Sequence, residues 1–322
     1  MNKLSYIEST NYNPYHNLAL ENYLMDIIDD NEIIMYLWQN KNTIVIGKNQ
    51  NIYTECYLDN IQKDNIFIAR RNSGGGCVYH DLGNLNFSFI TSYKNYNLKK
   101  QLSVIIDSLS SFGINAKFSG RNDILIDNHK FSGNAYYTNH NAKLHHGTIM
   151  VDVNLNNLNK YLNISKDKLT TNSIQSTPSK IINLNSINNN ITIKSLKDAL
   201  INSFSFIYNT QVTTKNINQS YLNNYISKFS SIKWIYNENK VYTYKLYNRY
   251  SWGNIDININ IKNNIINDIY IYSDSLDYTI NDILKNLLLN CKFNKIDIIK
   301  SLKKSNRDEI NDIINLINES VR

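Results

Sequence analysis

Apolar residues at Leu18, Leu20, Tyr23, Leu24, Ile27 and Ile28 recur at helical intervals and predict an amphipathic helix over 17–29 behind an Asn cap. Residues 33–38 and 43–46 then read as strands, the second closed by Gly47, and a short helix around 54–62 leads to a third strand at 66–69. Past a glycine-rich stretch, Leu85, Phe87 and Phe89 alternate with Asn86 and Ser88, the period of a half-buried strand. A helix over 97–112 is predicted between an Asn97 cap and Gly113, burying Leu98, Leu102, Ile105, Ile106, Leu109 and Phe112. Short strands follow at 116–118, 123–126, 130–137 and 145–153. The polar stretch 154–190, which contains Pro178, reads as short helices and a mobile loop, and 195–208 as a helix.

Beyond Ser230 the texture changes. Residues 241–244, 255–261 and 269–272 are β-like, with Asn263-Asn264 as a hairpin turn, and three helical stretches close the chain at 279–289, 295–302 and 307–320. The expected fold class is therefore α+β. A larger domain, 1–240, is built on a mixed, largely antiparallel sheet flanked by helices, and a small α+β domain occupies 241–322.

Charge narrows the partners. The 322 residues carry a formal net charge of +7 without a Lys/Arg run of five or more, which favours steering of an anionic partner over nucleic-acid readout. Cys56, Cys77 and Cys291 are too few and scattered for a disulfide framework and suit a reducing compartment. The first residues hold no apolar signal-type core, and no apolar run approaches the roughly 18 residues that span a bilayer, so no membrane attachment and a cytoplasmic location are expected.

Only ten glycines occur, nine of them between Gly47 and Gly147, and three are consecutive within Arg70-Arg71-Asn72-Ser73-Gly74-Gly75-Gly76-Cys77-Val78-Tyr79. Glycine admits positive φ and close approach, so the stretch reads as an anion-binding loop supplied with two guanidinium groups. It joins two strands rather than opening into a helix, which excludes a P-loop or dinucleotide fingerprint. His145-His146 suggests a metal at first sight, but neighbours on a strand face opposite sides, and no metal site is expected. Cys77 lacks an evident base and reads as packing. Lys130 is set apart by its place between the strand Asp123-Ile124-Leu125-Ile126 and Ser132-Gly133.

Several spaced motifs carry a resemblance. Arg71-Asn72-Ser73-Gly74-Gly75-Gly76 through His80-Asp81-Leu82-Gly83-Asn84, Ser119-Gly120-Arg121-Asn122-Asp123, Lys130-Phe131-Ser132-Gly133-Asn134-Ala135 and His145-His146-Gly147-Thr148 resemble the ordered motifs of the lipoate–protein ligase A family. The similarity extends to Leu37-Trp38-Gln39-Asn40, Val45-Ile46-Gly47, Arg249-Tyr250-Ser251-Trp252-Gly253 and Ser273-Asp274-Ser275-Leu276, and so covers almost the whole chain.

The resemblance implies a core of biotin/lipoyl-ligase type, related to class II synthetases, and a two-step reaction. Lipoate and ATP, with Mg2+, form lipoyl-AMP, and the lipoyl group then passes to a lysine of an acceptor. The implied acceptors are the lipoyl domains of 2-oxoacid dehydrogenase E2 subunits and the glycine cleavage H protein, and the implied enzyme is a monomer. Carried over by motif, Arg71, Ser73, Gly74, Gly75, Gly76, Cys77, Val78, Tyr79, Asn84, Asp123 and Lys130 would serve the nucleotide. Leu18, Trp38, Arg70, Gly75, Lys130 and His146 would serve the lipoyl group, with Lys130 the catalytic cation. Where relatives carry arginines in a polar loop, this chain reads Gln175-Ser176-Thr177-Pro178-Ser179-Lys180, and a lysine cannot reproduce their bidentate contact. The alternatives are an ATP-independent octanoyl transferase on the same core, which needs a catalytic cysteine, a biotin ligase, and a non-catalytic lipoyl or nucleic-acid binding module.

Overall fold

The computed structural model describes residues 3–120, 122–163, 180–236 and 243–321. Arg121, residues 175–179 of the departing loop and the first two residues of the strand expected at 241–244 lie outside them. The chain forms two compact units: residues 1–45, 53–70 and 78–235 in the first, and residues 46–52, 71–77 and 236–322 in the second.

The first unit is built on eight strands: β1 (Lys3–Glu8), β2 (Glu32–Trp38), β6 (Asn84–Thr91), β7 (Lys117–Phe118), β8 (Asp123–Ile126), β9 (His129–Thr138), β10 (Lys143–Met150) and β11 (Val212–Thr214). Their order is β11-β1-β2-β6-β10-β9-β8-β7. The β1 pairings with β2 and β11 are parallel, and the pairings from β2 through β6, β10, β9 and β8 to β7 are antiparallel. Three short strands, β3 (Thr43–Ile46), β4 (Phe67–Arg70) and β5 (Val78–His80), make a second sheet in the order β4-β3-β5.

Alternation decides which side of the large sheet each residue meets. Leu85, Phe87 and Phe89 pack in one core with Leu102, Ile105 and Leu109 of the Leu98–Ser110 helix and with Leu196, Leu200 and Phe204 of the Ile193–Tyr208 helix. On the opposite face Tyr36, Trp38, Ile90 and Leu144 pack with Leu18, Leu24 and Met25 of the Pro14–Asp26 helix. Every residue of β6 is buried. Asn86 and Ser88, expected on the open side of a half-buried strand, thus lie inside the protein.

The first helix begins earlier than its apolar period suggests. Pro14, pre-set for the first helical position, follows Asn13, whose side chain accepts from the Tyr15 amide at 2.9 Å. Asn17 is an interior residue of that helix, its amide donating to Gln39 O and Asn40 Oδ1.

The second unit holds an antiparallel sheet of β12 (Tyr244–Tyr250), β13 (Gly253–Lys262) and β14 (Ile265–Ser273) and helices at Ile280–Leu288, Lys295–Leu302 and Asp308–Ser320. Asn263 and Asn264 make the expected hairpin turn, with φ of 52° and 60°. Ile255, Ile257 and Ile259 turn inward against Leu284, Ile298, Ile313 and Ile317. The two early segments are fastened to this unit by main-chain bonds, Ser273 N to Asn49 O and Gly75 N to Ser275 O, both 2.9 Å.

Candidate active site

The strand register assembles a row across the helix-covered face that carries Trp38. Trp38 of β2 stands opposite Asn86 of β6, Asn86 opposite Thr148 of β10, Thr148 opposite Gly133 of β9, and Gly133 opposite Asp123 of β8. Directly opposite residues share a face. The next row holds Tyr36, Ser88, His146 and Ala135.

A bulge brings Lys130 onto the face of the first row. Lys130 and Gly133 are an odd number of residues apart, so a regular strand would send their side chains to opposite faces. The register of β9 against β8 shifts between Ile124 and Leu125, because Ile124 pairs with Ser132 while Leu125 pairs with Lys130. Phe131 is the extra residue, and the parity flips. Phe131 enters the core while Lys130 lies over Gly133: a Cβ on Gly133 would sit 3.1 Å from Lys130 Cε and 3.2 Å from Nζ. Lys130 Nζ is 2.8 Å from Asp123 Oδ1. The main chain of Lys130 is held by Lys180 O, which accepts from its amide at 2.7 Å, and by Ile182 N, which donates to its carbonyl at 3.0 Å.

At the other end of the row lies a buried polar relay. Trp38 Nε1 donates to Ser88 Oγ at 3.0 Å, Ser88 donates to Glu21 Oε1 at 2.5 Å, and His146 Nδ1 meets the same oxygen at 2.8 Å. Leu18 packs in the same apolar cluster as Trp38. Glu21 and Ser88 carry no mark in the sequence that separates them from surface polar residues; strand pairing shows the place of Ser88, and the bonds to Ser88 and His146 show that of Glu21.

His145 faces the opposite core, as strand alternation requires, among Phe87, Phe89 and Tyr136. Burial, aided by the neighbouring His146, pushes its pKa down to about 3, so the ring is neutral. Asn134 Nδ2 donates to Asn122 O at 3.0 Å, which leaves Asn134 Oδ1 to accept from His145 Nε2–H at 2.8 Å. Nδ1 lies 3.1 Å from Gln101 Oε1. Asn134 N also donates to Asn122 O, at 2.7 Å, so the turn before Asp123 is tied to a rigid aromatic core.

The glycine-rich segment belongs to the second unit. Gly75 has φ of +87°, and a Cβ on Gly74 would come within 2.3 Å of Ser275 O, so these two glycines answer to backbone conformation and to packing; Gly76 faces open space. Arg71 Nη2 donates to Gly74 O and Gly76 O at 2.7 Å, and Nε to Ser73 Oγ at 3.1 Å. The guanidinium therefore braces the loop from within, while Cys77 is half-buried at its end.

Arg70, in the first unit, is buried and donates from Nε and Nη2 to Ile235 O at 3.0 and 2.7 Å. Tyr79 is buried against Tyr161, its hydroxyl accepting from Asn157 at 2.8 Å, and Val78 pairs with Val45. Asn84 is buried and donates to Asn86 Oδ1 at 3.0 Å. Among the described residues, no cluster of three or more His, Cys, Asp or Glu is suited to hold a metal ion.

Residues 13–205 match the lipoyl protein ligase A/B catalytic domain and residues 239–319 the bacterial lipoate protein ligase C-terminus. The lipoate–protein ligase A of Blochmanniella floridana is 38% identical, covering 90% of this chain and 89% of that protein. The crystal structure of a Plasmodium falciparum ligase, LipL1, in complex with lipoate aligns with a TM-score of 0.88 at 34% identity, covering 98% of this chain and 100% of that one. A bi-partite lipoate protein ligase from Thermoplasma acidophilum, described with its E2 lipoyl domain, aligns with a TM-score of 0.64 at 25% identity, covering 75% of this chain and 100% of that one. The chain belongs to the lipoate–protein ligase A family.

Proposed function

We propose that this ligase activates lipoate with ATP, supplied as its magnesium complex, and transfers the lipoyl group to a lysine of acceptor lipoyl domains such as those of 2-oxoacid dehydrogenase E2 subunits and the glycine cleavage H protein. The observation that carries the reading is the Lys130–Asp123 pair at one end of the sheet row that begins at Trp38. In the first step a lipoate oxygen attacks the α-phosphorus, the bond to the bridging oxygen breaks, and pyrophosphate leaves. Two anions meet in that step, and a fixed ammonium stabilises the charge between them. In the second, the neutral amine of the acceptor lysine attacks the acyl carbonyl, AMP departs with the bonding pair, and the surplus proton goes to solvent. Lys130 is the cation in this scheme, and Asp123 orients it. The Leu18, Trp38 and His146 slot takes the lipoyl tail. Nucleotide contacts are assigned to Arg71, Ser73, Gly74 to Tyr79 and Asn84 on the strength of their motif. The second family match is to lipoate protein ligases, which favours ATP use over octanoyl transfer.

The test is lipoate-dependent exchange of pyrophosphate into ATP. Lys130→Ala is expected to lower the exchange rate by about 100-fold or more without moving the unfolding midpoint. Wild-type rates in that variant would remove Lys130 from the mechanism.

A further inference from the structure

Asn86 has no place in the scheme so far. It is 2% exposed, and its Oδ1 accepts from Asn84 Nδ2 at 3.0 Å, yet its own Nδ2 has no partner among the described residues. A buried N–H left unmade costs about 1–3 kcal/mol, so such a group calls for an acceptor. Its position says which. Asn86 stands between Trp38 and Thr148 in the row that continues to Gly133, over which Lys130 lies. Adjacent strands are about 4.8 Å apart, so Asn86 and Gly133, two steps apart, flank a space of roughly 10 Å above half-buried Thr148. A carboxylate over Thr148 lies within reach of a carboxamide from one side and an ammonium from the other. The methylenes of an acyl tail offer an N–H nothing.

We infer that Asn86 is a substrate-binding residue whose Nδ2–H donates to a carboxyl oxygen of the acyl substrate, opposite Lys130. The inference rests on the proposed lipoate activation. Because the carboxyl group is common to lipoate and octanoate, Asn86 serves both acids and does not discriminate between them.

Asn86→Leu keeps the branched outline of the side chain and removes the donor, together with the Oδ1 that accepts from Asn84. The KM for lipoate and for octanoate in pyrophosphate exchange is expected to rise by the same factor, about 10- to 100-fold. Binding of 3-pentyl-1,2-dithiolane, which has the ring and tail but no oxygen, should stay within twofold of wild type by calorimetry. Equal weakening of the acids and the oxygen-free ligand would mean a structural role and overturn the inference. A loss confined to lipoate would assign the donor to the dithiolane sulfurs and overturn it too, as would unchanged KM values. Wild-type protein inactive in exchange would refute the proposed function instead; calorimetry of the two acids on both proteins would still decide Asn86.

Discussion

Gly133 is where a missing side chain shapes the site most directly. Its nearest neighbours are the far end of Lys130 rather than backbone, so a methyl group there would displace the amine and leave the strand in place. Gly133→Ala is expected to slow pyrophosphate exchange about tenfold with little change in thermal midpoint; a large drop in midpoint would show that the backbone and not Lys130 needs the glycine. His145 sets a pH limit on the fold. With a native pKa of about 3 against an ordinary 6.5, the unfolded chain takes up a proton between those values and the native protein does not. Stability from this residue is complete above pH 6.5 and is lost as pH falls, by up to about 1.4 kcal/mol per pH unit. Urea unfolding at pH 7, 5 and 4 should therefore show a steeper loss for wild type than for His145→Gln; parallel losses would contradict a neutral buried ring. Lys130 was legible in the sequence through its neighbouring glycine and its motif. Asn86 and Ser88 were not, because an alternating polar position looks the same whether it meets solvent or the inside of a site.

Among elements, those with chemical punctuation were the readable ones. Asn97 and Gly113 bracket the Leu98–Ser110 helix, and Asn263-Asn264 the β13–β14 hairpin, because a cap and a left-handed turn each require particular residues. The Ile193–Tyr208 helix begins earlier than expected because Thr192 and Ser195 cap each other reciprocally. Thr192→Ala should cost about 1 kcal/mol in urea unfolding; no change would mean that packing alone sets this helix. Strands β1 and β11 escaped notice. Each is short, and their pairing is between distant segments, Leu4 against Val212, which no local pattern announces. The bulge at Phe131 was equally silent: a run of residues shows its period only when the partner strand supplies the register.

For the whole molecule, the +7 charge is the property that acts at longest range. Lipoyl acceptor domains that are acidic around their target lysine would be drawn in by it, and salt screens such attraction over about 8–10 Å. Raising ionic strength from 50 to 300 mM is expected to slow lipoyl transfer several-fold more than pyrophosphate exchange; equal slowing would place the charge effect in the chemistry and not in encounter. Among the described residues, no helix is long and apolar enough to cross a membrane.

The bond from Gly75 to Ser275 also bears on the order in which the protein is made. The glycine-rich segment leaves the ribosome well before the carbonyl it binds and the backbone against which Gly74 is packed, which belong to Ser275 and Leu276. A nascent or prematurely released chain therefore carries the segment without its fastening. The second unit can close only after Ser275 has emerged, so the loop assigned to ATP waits for it, and products truncated before Ser275 would lack a finished one.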